Sequence, residues 1–194
     1  MSDTAQILIL YYSKHGNTQK MARLIARGVL KVAGCEAIIR TVPVDGVDEA
    51  MAADPYITEQ ELADCDGLLL GSPSHFGNMA APLKAFIDST SQIWLNGGLE
   101  GKPAGVFANS SSIHGGQETT LINMMIPLLH HGMVLAGLPY SEKALLFTTT
   151  GGSPYGATHW AQTGDQRGLD NNEKQLCMAQ GQRIAQLAKA LKHS

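Results

Sequence analysis

QILILYYSKHGNT, residues Gln6–Thr18, is the stretch whose reading decides the fold. Its first seven residues, Gln6–Tyr12, form an unbroken apolar run, the pattern of a strand covered on both faces of a parallel sheet. The run ends in a polar loop, and helical spacing follows at once: Met21, Leu24, Ile25, Val29 and Val32 recur at intervals of three and four. A helix is expected over Thr18–Lys31, with Gly34 as its stop. A strand, a short polar loop and a helix open a βαβ series.

Working outward, the alternation continues. Ala37–Val42 (AIIRTV), Gly67–Ser72 (GLLLGS), Ala104–Ser110 (AGVFANS) and Met133–Leu138 (MVLAGL) read as four more strands. Between them come helices over Ala80–Ser89 and Gln117–His131, the second bent at Pro127. A short helix runs through Ala63, announced by the capping-box spacing of Thr58 and Glu61. A closing helix spans Asp170–Lys192, with Leu176, Gln180, Ile184, Leu187 and Leu191 read as a core-facing stripe. Two stretches, Pro43–Ile57 and Pro139–Leu169, read as excursions from this core; loops that long are usually functional or interfacial. The expected architecture is α/β: one doubly wound domain spanning residues 1–194, with a five-stranded parallel sheet and helices on both faces.

Composition narrows the function classes. The 194 residues hold 14 Lys and Arg against 17 Asp and Glu, a net charge of −3. That excludes a basic nucleic-acid footprint and a densely acidic docking shell. Cys35, Cys65 and Cys177 are an odd number with no CxxC, so a reducing, cytoplasmic setting is expected. Cys177 reads as a buried small hydrophobe. The N-terminal MSDTAQILILYYS lacks a basic region and a cleavage site, so no signal peptide is expected. The most apolar stretch, Leu121–Tyr140, is interrupted by Asn123, Pro127, His130 and His131 and is not a membrane span. No His, Cys or Asp spacing supports a metal site.

In an open α/β sheet, ligands bind beyond the carboxyl ends of the strands. Three loops occupy those ends. Ser13, Lys14, His15, Gly16, Asn17 and Thr18 combine hydroxyl and amide donors with a glycine and a helix N-terminus, the makings of a phosphate cradle. There is no Walker lysine and no GxGxxG; the hydroxyl-rich form suits a phosphate monoester such as that of flavin mononucleotide (FMN). The plain alternative is an ordinary loop with Thr18 as helix cap. Pro73, Ser74, His75, Phe76 and Gly77 either present backbone groups to a flat heterocycle or plug the core with Phe76. Asn109, Ser110, Ser111, Ser112, Ile113, His114 and Gly115 either let the backbone approach a ligand or form a surface loop.

YYSKHGNT (Tyr11–Thr18), GSPSHFGNM (Gly71–Met79), HGGQET (His114–Thr119), HHGM (His130–Met133) and GGSPYGA (Gly151–Ala157) together resemble the WrbA family of NAD(P)H:quinone oxidoreductases, which are flavodoxin-like proteins. The resemblance runs from about Ile7 to the closing helix. It implies FMN as cofactor, NADH or NADPH as co-substrate, a quinone as acceptor and a homotetramer. By the same resemblance, Ser13–Thr18 hold the FMN phosphate, Ser74–Gly77 flank the isoalloxazine ring and Asn109–Gly115 lie at its other edge. His130 contacts the flavin in the assembled oligomer, Trp94 lines the quinone side, and His15 meets the nicotinamide nucleotide. The chain departs from the family where Ser74-His75 stands in place of a common Thr-Arg, and in its Ser-rich third loop. For Trp94 the alternative is an oligomer core. For His130 and His131 it is pairing with a helix C-terminus.

The chemistry expected from these readings is carried by the cofactor and positioned by the protein: NAD(P)H reduces it, the oxidised nucleotide leaves, and a quinone takes two electrons at the same face, a ping-pong cycle. Backbone N–H groups near Gly115, with His130, are expected to steady negative charge at the ring edge. Two other classes remain open at this point. A one-electron carrier is disfavoured by the weak net charge. A regulatory FMN-binding module has no identifiable partner surface.

Overall fold

The computed structural model describes residues 4–44, 46–164 and 167–192. In chain order it runs β1 (Ala5–Tyr11), α1 (Asn17–Val29), β2 (Cys35–Thr41), α2 (Glu59–Asp64), β3 (Gly67–Pro73), α3 (Ala81–Ser89), α4 (Ser91–Leu95), β4 (Pro103–Ser110), α5 (Gln117–His130), β5 (Val134–Leu135), α6 (Ala144–Phe147), β6 (Thr158–Trp160) and α7 (Asn171–Lys192). A single 3₁₀ turn, Glu49–Met51, lies in the first excursion. The strands pair in parallel in the order β2-β1-β3-β4-β5, with β6 also on β4. The reversal of winding direction lies between β1 and β3, so the βα loops after those strands diverge and leave a crevice.

Alternate side chains of the same strands build the two layers. Ile7, Ile9, Leu69 and Phe107 pack with Met21, Ile25, Leu176 and Ile184 on one face. Leu8, Leu10, Leu68, Leu70 and Val106 pack with Leu83, Leu121, Met124 and Leu128 on the other. Helices α1 and α7 approach so closely that a Cβ on Gly181 would enter the Ile25 carbonyl, and one on Gly28 the Met178 carbonyl. The Thr58–Glu61 capping box forms as the spacing predicts. Helix α5 continues through Pro127 to His130. Cys177 is fully buried, and burial pushes its thiol pKa up.

The sheet has five positions, as expected, but two short segments share the fifth. β5 pairs only with Pro103 and Ala104, and β6 with Ala108, Asn109 and Ser110. Between them the chain leaves the sheet through α6 and returns. The gap leaves strand groups without strand partners. Gln180, fully buried on α7, fills it: its Nε2 donates to the Val106 carbonyl (2.8 Å) and its Oε1 accepts from the Ala157 N–H (2.8 Å). Unpaired buried backbone groups are costly, which accounts for a glutamine in an otherwise apolar stripe. The stripe also ends early: Leu176, Gln180 and Ile184 are buried, but Leu191 is 46% exposed. The closing turns bury Ala185 and Ala188 instead; Ala188 lies over Gly67 at the amino end of β3, and Lys192 reaches the Thr4 carbonyl just before β1.

Candidate functional site

A cavity of about 600 Å³ opens at the carboxyl ends of β1, β3 and β4. Ser13, Lys14, His15, Asn17 and Thr18 form one wall. Pro73, Ser74 and His75 form the second, and Asn109, Ser110 and Ser111 the third. Two further residues, Thr163 and Gly164, reach in from the second excursion; sequence reasoning flagged that segment without naming them. The described lining includes Lys14 and two histidines and no carboxylate, so the cavity suits an anion.

The first wall has the features of an anion cradle. Gly16, at φ 82°, caps α1 in a left-handed conformation, and no side chain caps the first turn. The helix end therefore turns its positive pole to the cavity. Thr18 is not the helix cap: its hydroxyl donates to Asn109 Oδ1 at 2.7 Å, tying the first loop to the third. Ser13 Oγ is buried and has no hydrogen-bond partner among the described residues. A buried unmatched hydroxyl costs on the order of 1–3 kcal/mol, a deficit that a phosphate oxygen accepting from it removes. The residues present thus fit a phosphate monoester.

The second and third loops are locked together. The Ser74 N–H donates to the Asn109 carbonyl (2.7 Å), Ser74 Oγ to the Gly115 carbonyl (2.8 Å) and Asn123 Nδ2 to the Gly77 carbonyl (2.9 Å). A Cβ on Gly116 would come within 2.9 Å of Gly77 Cα, so only glycine permits this approach. Phe76 does not plug the core. It sits fully exposed at the tip of a two-residue turn, with paired hydrogen bonds between His75 and Asn78. Phe76 and Gly77 have φ of 55° and 74°, a type I′ geometry. Phe76, Gly77, Ser112, Ile113, His114 and Gly115 do not line the cavity within this chain; Ser112, Ile113 and His114 are exposed beside it.

A family model described as NADPH-dependent FMN reductase matches residues 5–144. The chain belongs to that family. It is 43% identical over 200 residues to a protein from Solidesulfovibrio magneticus named NAD(P)H dehydrogenase (quinone), covering 96% of this chain and 98% of that one. It is 39% identical to a protein of the same name from Trichlorobacter lovleyi, over 96% and 98% of the two chains. Among solved structures, a flavodoxin WrbA-like protein from Agrobacterium tumefaciens superposes with a TM-score of 0.69 at 20% identity, covering 96% of this chain and 99% of that one. Flavodoxin 1 from Bacillus cereus superposes at 0.63 and 16%, covering 94% and 98%. At such identities the structures establish the flavodoxin-like fold.

In this FMN reductase family member, Trp94 and His130 lie together elsewhere. With Ile126, Pro127 and His131 they line a cavity of about 480 Å³ between α3, α4 and α5, which shares no residue with the first. His130 is exposed; His131 is buried and already engaged. Thr90 Oγ1 gives its hydrogen to the Ile87 carbonyl, so His131 Nε2, 2.9 Å away, is the donor to it. Nδ1 is then a buried acceptor without a partner among the described residues. Burial, with the neighbouring His130, lowers the His131 pKa.

A buried charged hub escaped the sequence reading. Glu173, in the first turn of α7, accepts from Arg167 Nη1 (2.9 Å) and from the N–H groups of Gly151 (3.0 Å), Trp160 (3.1 Å) and Asp170 (2.9 Å). It also pairs with His159 Nδ1 at 3.0 Å. Burial raises its pKa, but the hydrogen bonds from His159, Arg167 and Asp170 outweigh that and hold it at about 2. The hub fixes β6 and the segment that brings Thr163 and Gly164 to the cavity. A first-turn Glu carries no local signal that separates it from a solvated charge.

Proposed function

We propose that the protein is an FMN-dependent NAD(P)H:quinone oxidoreductase working by a ping-pong cycle. The observation that carries this is Ser13 Oγ, buried and without a partner among the described residues, in a cavity at three strand ends whose described lining holds no carboxylate. The name shared by the Solidesulfovibrio and Trichlorobacter relatives supports the same reading. Ser13 and the α1 N-terminus would hold the FMN phosphate; the joined loops Pro73–Gly77 and Asn109–Gly115 would flank the ring. When bound, FMN accepts hydride from NAD(P)H and passes two electrons to a quinone. Lys14 and His15, exposed on the rim, meet the nucleotide phosphates. N–H groups around Gly115 steady negative charge at the ring edge. NAD(P)⁺ leaves before the quinone enters because both need one face.

The reading includes a cytoplasmic homotetramer of single-domain chains. Trp94 and His130 belong to the site only when a neighbouring chain brings them to it. His131 is committed to Thr90, which leaves His130 as the histidine available for that contact. Trp94 supplies a flat apolar wall for the quinone.

The test is titration with FMN followed by NADH oxidation with benzoquinone. One FMN per chain, FMN-dependent turnover and parallel double-reciprocal lines are expected. Ser13→Ala should weaken FMN binding about tenfold or more, the worth of one hydrogen bond to a charged group, without lowering the melting temperature of the cofactor-free protein. FMN binding without NADH consumption would leave a carrier; no FMN binding would remove the reading altogether.

A further inference from the structure

A second cavity, of about 370 Å³, backs onto the first. Ser13 and Lys14 line both, so the first loop is the shared partition. The far wall is the excursion between β2 and α2, contributing Val44, Val47, Met51 and Tyr56; Tyr12 and Val42 close the floor. This volume is within the range of small-molecule sites, ~300–1,000 Å³.

The cavity is pre-formed. Asp54, buried on the excursion, accepts from Tyr11 Oη (2.6 Å) and pairs with Arg23 of α1 (2.5 Å), pinning the excursion to β1 and α1. Burial, then Asp54, raises the Tyr11 pKa, so its phenol stays a donor. Behind Asp54 the chain returns to β2: the Thr41 N–H donates to the Pro55 carbonyl and the Ile57 N–H to the Thr41 carbonyl. Tyr56 Oη donates to the Val47 carbonyl (3.2 Å), fixing its ring as wall.

Its chemistry differs from that of the first cavity. Three tyrosines (Tyr11, Tyr12 and Tyr56) and aliphatic side chains dominate the described lining, and Lys14 is its one charged side chain. Lys14 has no partner among the described residues and stands on the rim common to both spaces. A flat apolar heterocycle joined to a phosphate at its edge matches this arrangement. A quinone, uncharged and needing the ring site, does not.

We propose that this second cavity takes the adenosine half of the nicotinamide dinucleotide, with Lys14 at the diphosphate. The assignment rests on the oxidoreductase reading and adds where the part of the co-substrate that does not react is held. Binding energy from such a remote part is what distinguishes a dinucleotide from its truncated form.

Calorimetry of ADP-ribose against FMN-loaded protein tests it, with Val47→Glu and Ala53→Trp as probes. Both positions are exposed on the cavity wall; one adds a like charge to the diphosphate, the other fills the space. ADP-ribose should bind wild type, and at least tenfold more weakly to each variant, with FMN affinity held. The kcat/KM advantage of NADH over reduced nicotinamide mononucleotide should shrink about tenfold in each. No ADP-ribose binding, or binding and an advantage that both variants leave intact, overturns the proposal. Absence of NADH oxidation overturns the oxidoreductase reading instead; ADP-ribose binding is measured independently of it.

Discussion

Phe76 carries a backbone cost that its own side chain does not offset. Its φ of 55° costs an L-residue roughly 1–2 kcal/mol, and its ring is wholly in solvent, so burial returns nothing. Asn-Gly is the favoured pair for this turn. Phe76→Asn should therefore raise the melting temperature of the cofactor-free protein by a few degrees, about 1 kcal/mol at this chain length, while lowering FMN-dependent turnover. A scanning melt and a turnover assay on the same preparation check both. A variant no more stable than wild type would mean that Phe76 is held by contacts of its own. That Phe76 is a turn residue was legible from the Gly77-Asn78 that follows it; that its ring points outward was not, because an aromatic between polar residues fits either face.

Among elements, the junction of β6 and α7 turns on Glu173. Its folded pKa of about 2 lies below the ordinary 4.5. The charged form is thus favoured by folding, and this stabilisation is whole above about pH 4.5 and is lost as pH falls toward 2. Melting temperature measured against pH should decline steeply over that window. Glu173→Gln should flatten the decline and cost about 3 kcal/mol at neutral pH, because Arg167 loses its buried counter-charge and His159 Nδ1 its carboxylate partner. A flat wild-type profile from pH 5 to 2 would contradict it. Helices and strands with a continuous period were readable from neighbours in the chain, as β1, α1 and the Thr58–Glu61 cap illustrate. β6 was not: three residues carry no period, and their pairing with β4 depends on Gln180 filling the break.

At the scale of the whole molecule, the proposed site is incomplete in one chain. Trp94 is 50% exposed and Leu95, Ile126 and Leu129 are also open to solvent around α4 and α5. Light scattering should give four times the 20.7 kDa chain mass. Trp94→Asp should lower that mass and reduce turnover with quinone together; a monomer with full activity would refute the shared site. The sequence by itself determined the alternation of strands and helices, the phosphate-suited first loop and the strand ends where ligands collect, since periodicity, caps and turn glycines act between residues a few positions apart. Only the tertiary structure decided that Thr18 would answer Asn109 and leave Ser13 open, that the fifth strand would be shared, and that Trp94 and His130 would lie away from the first cavity. Those outcomes join residues dozens of positions apart, and they are set by which buried polar group finds a partner once the layers close.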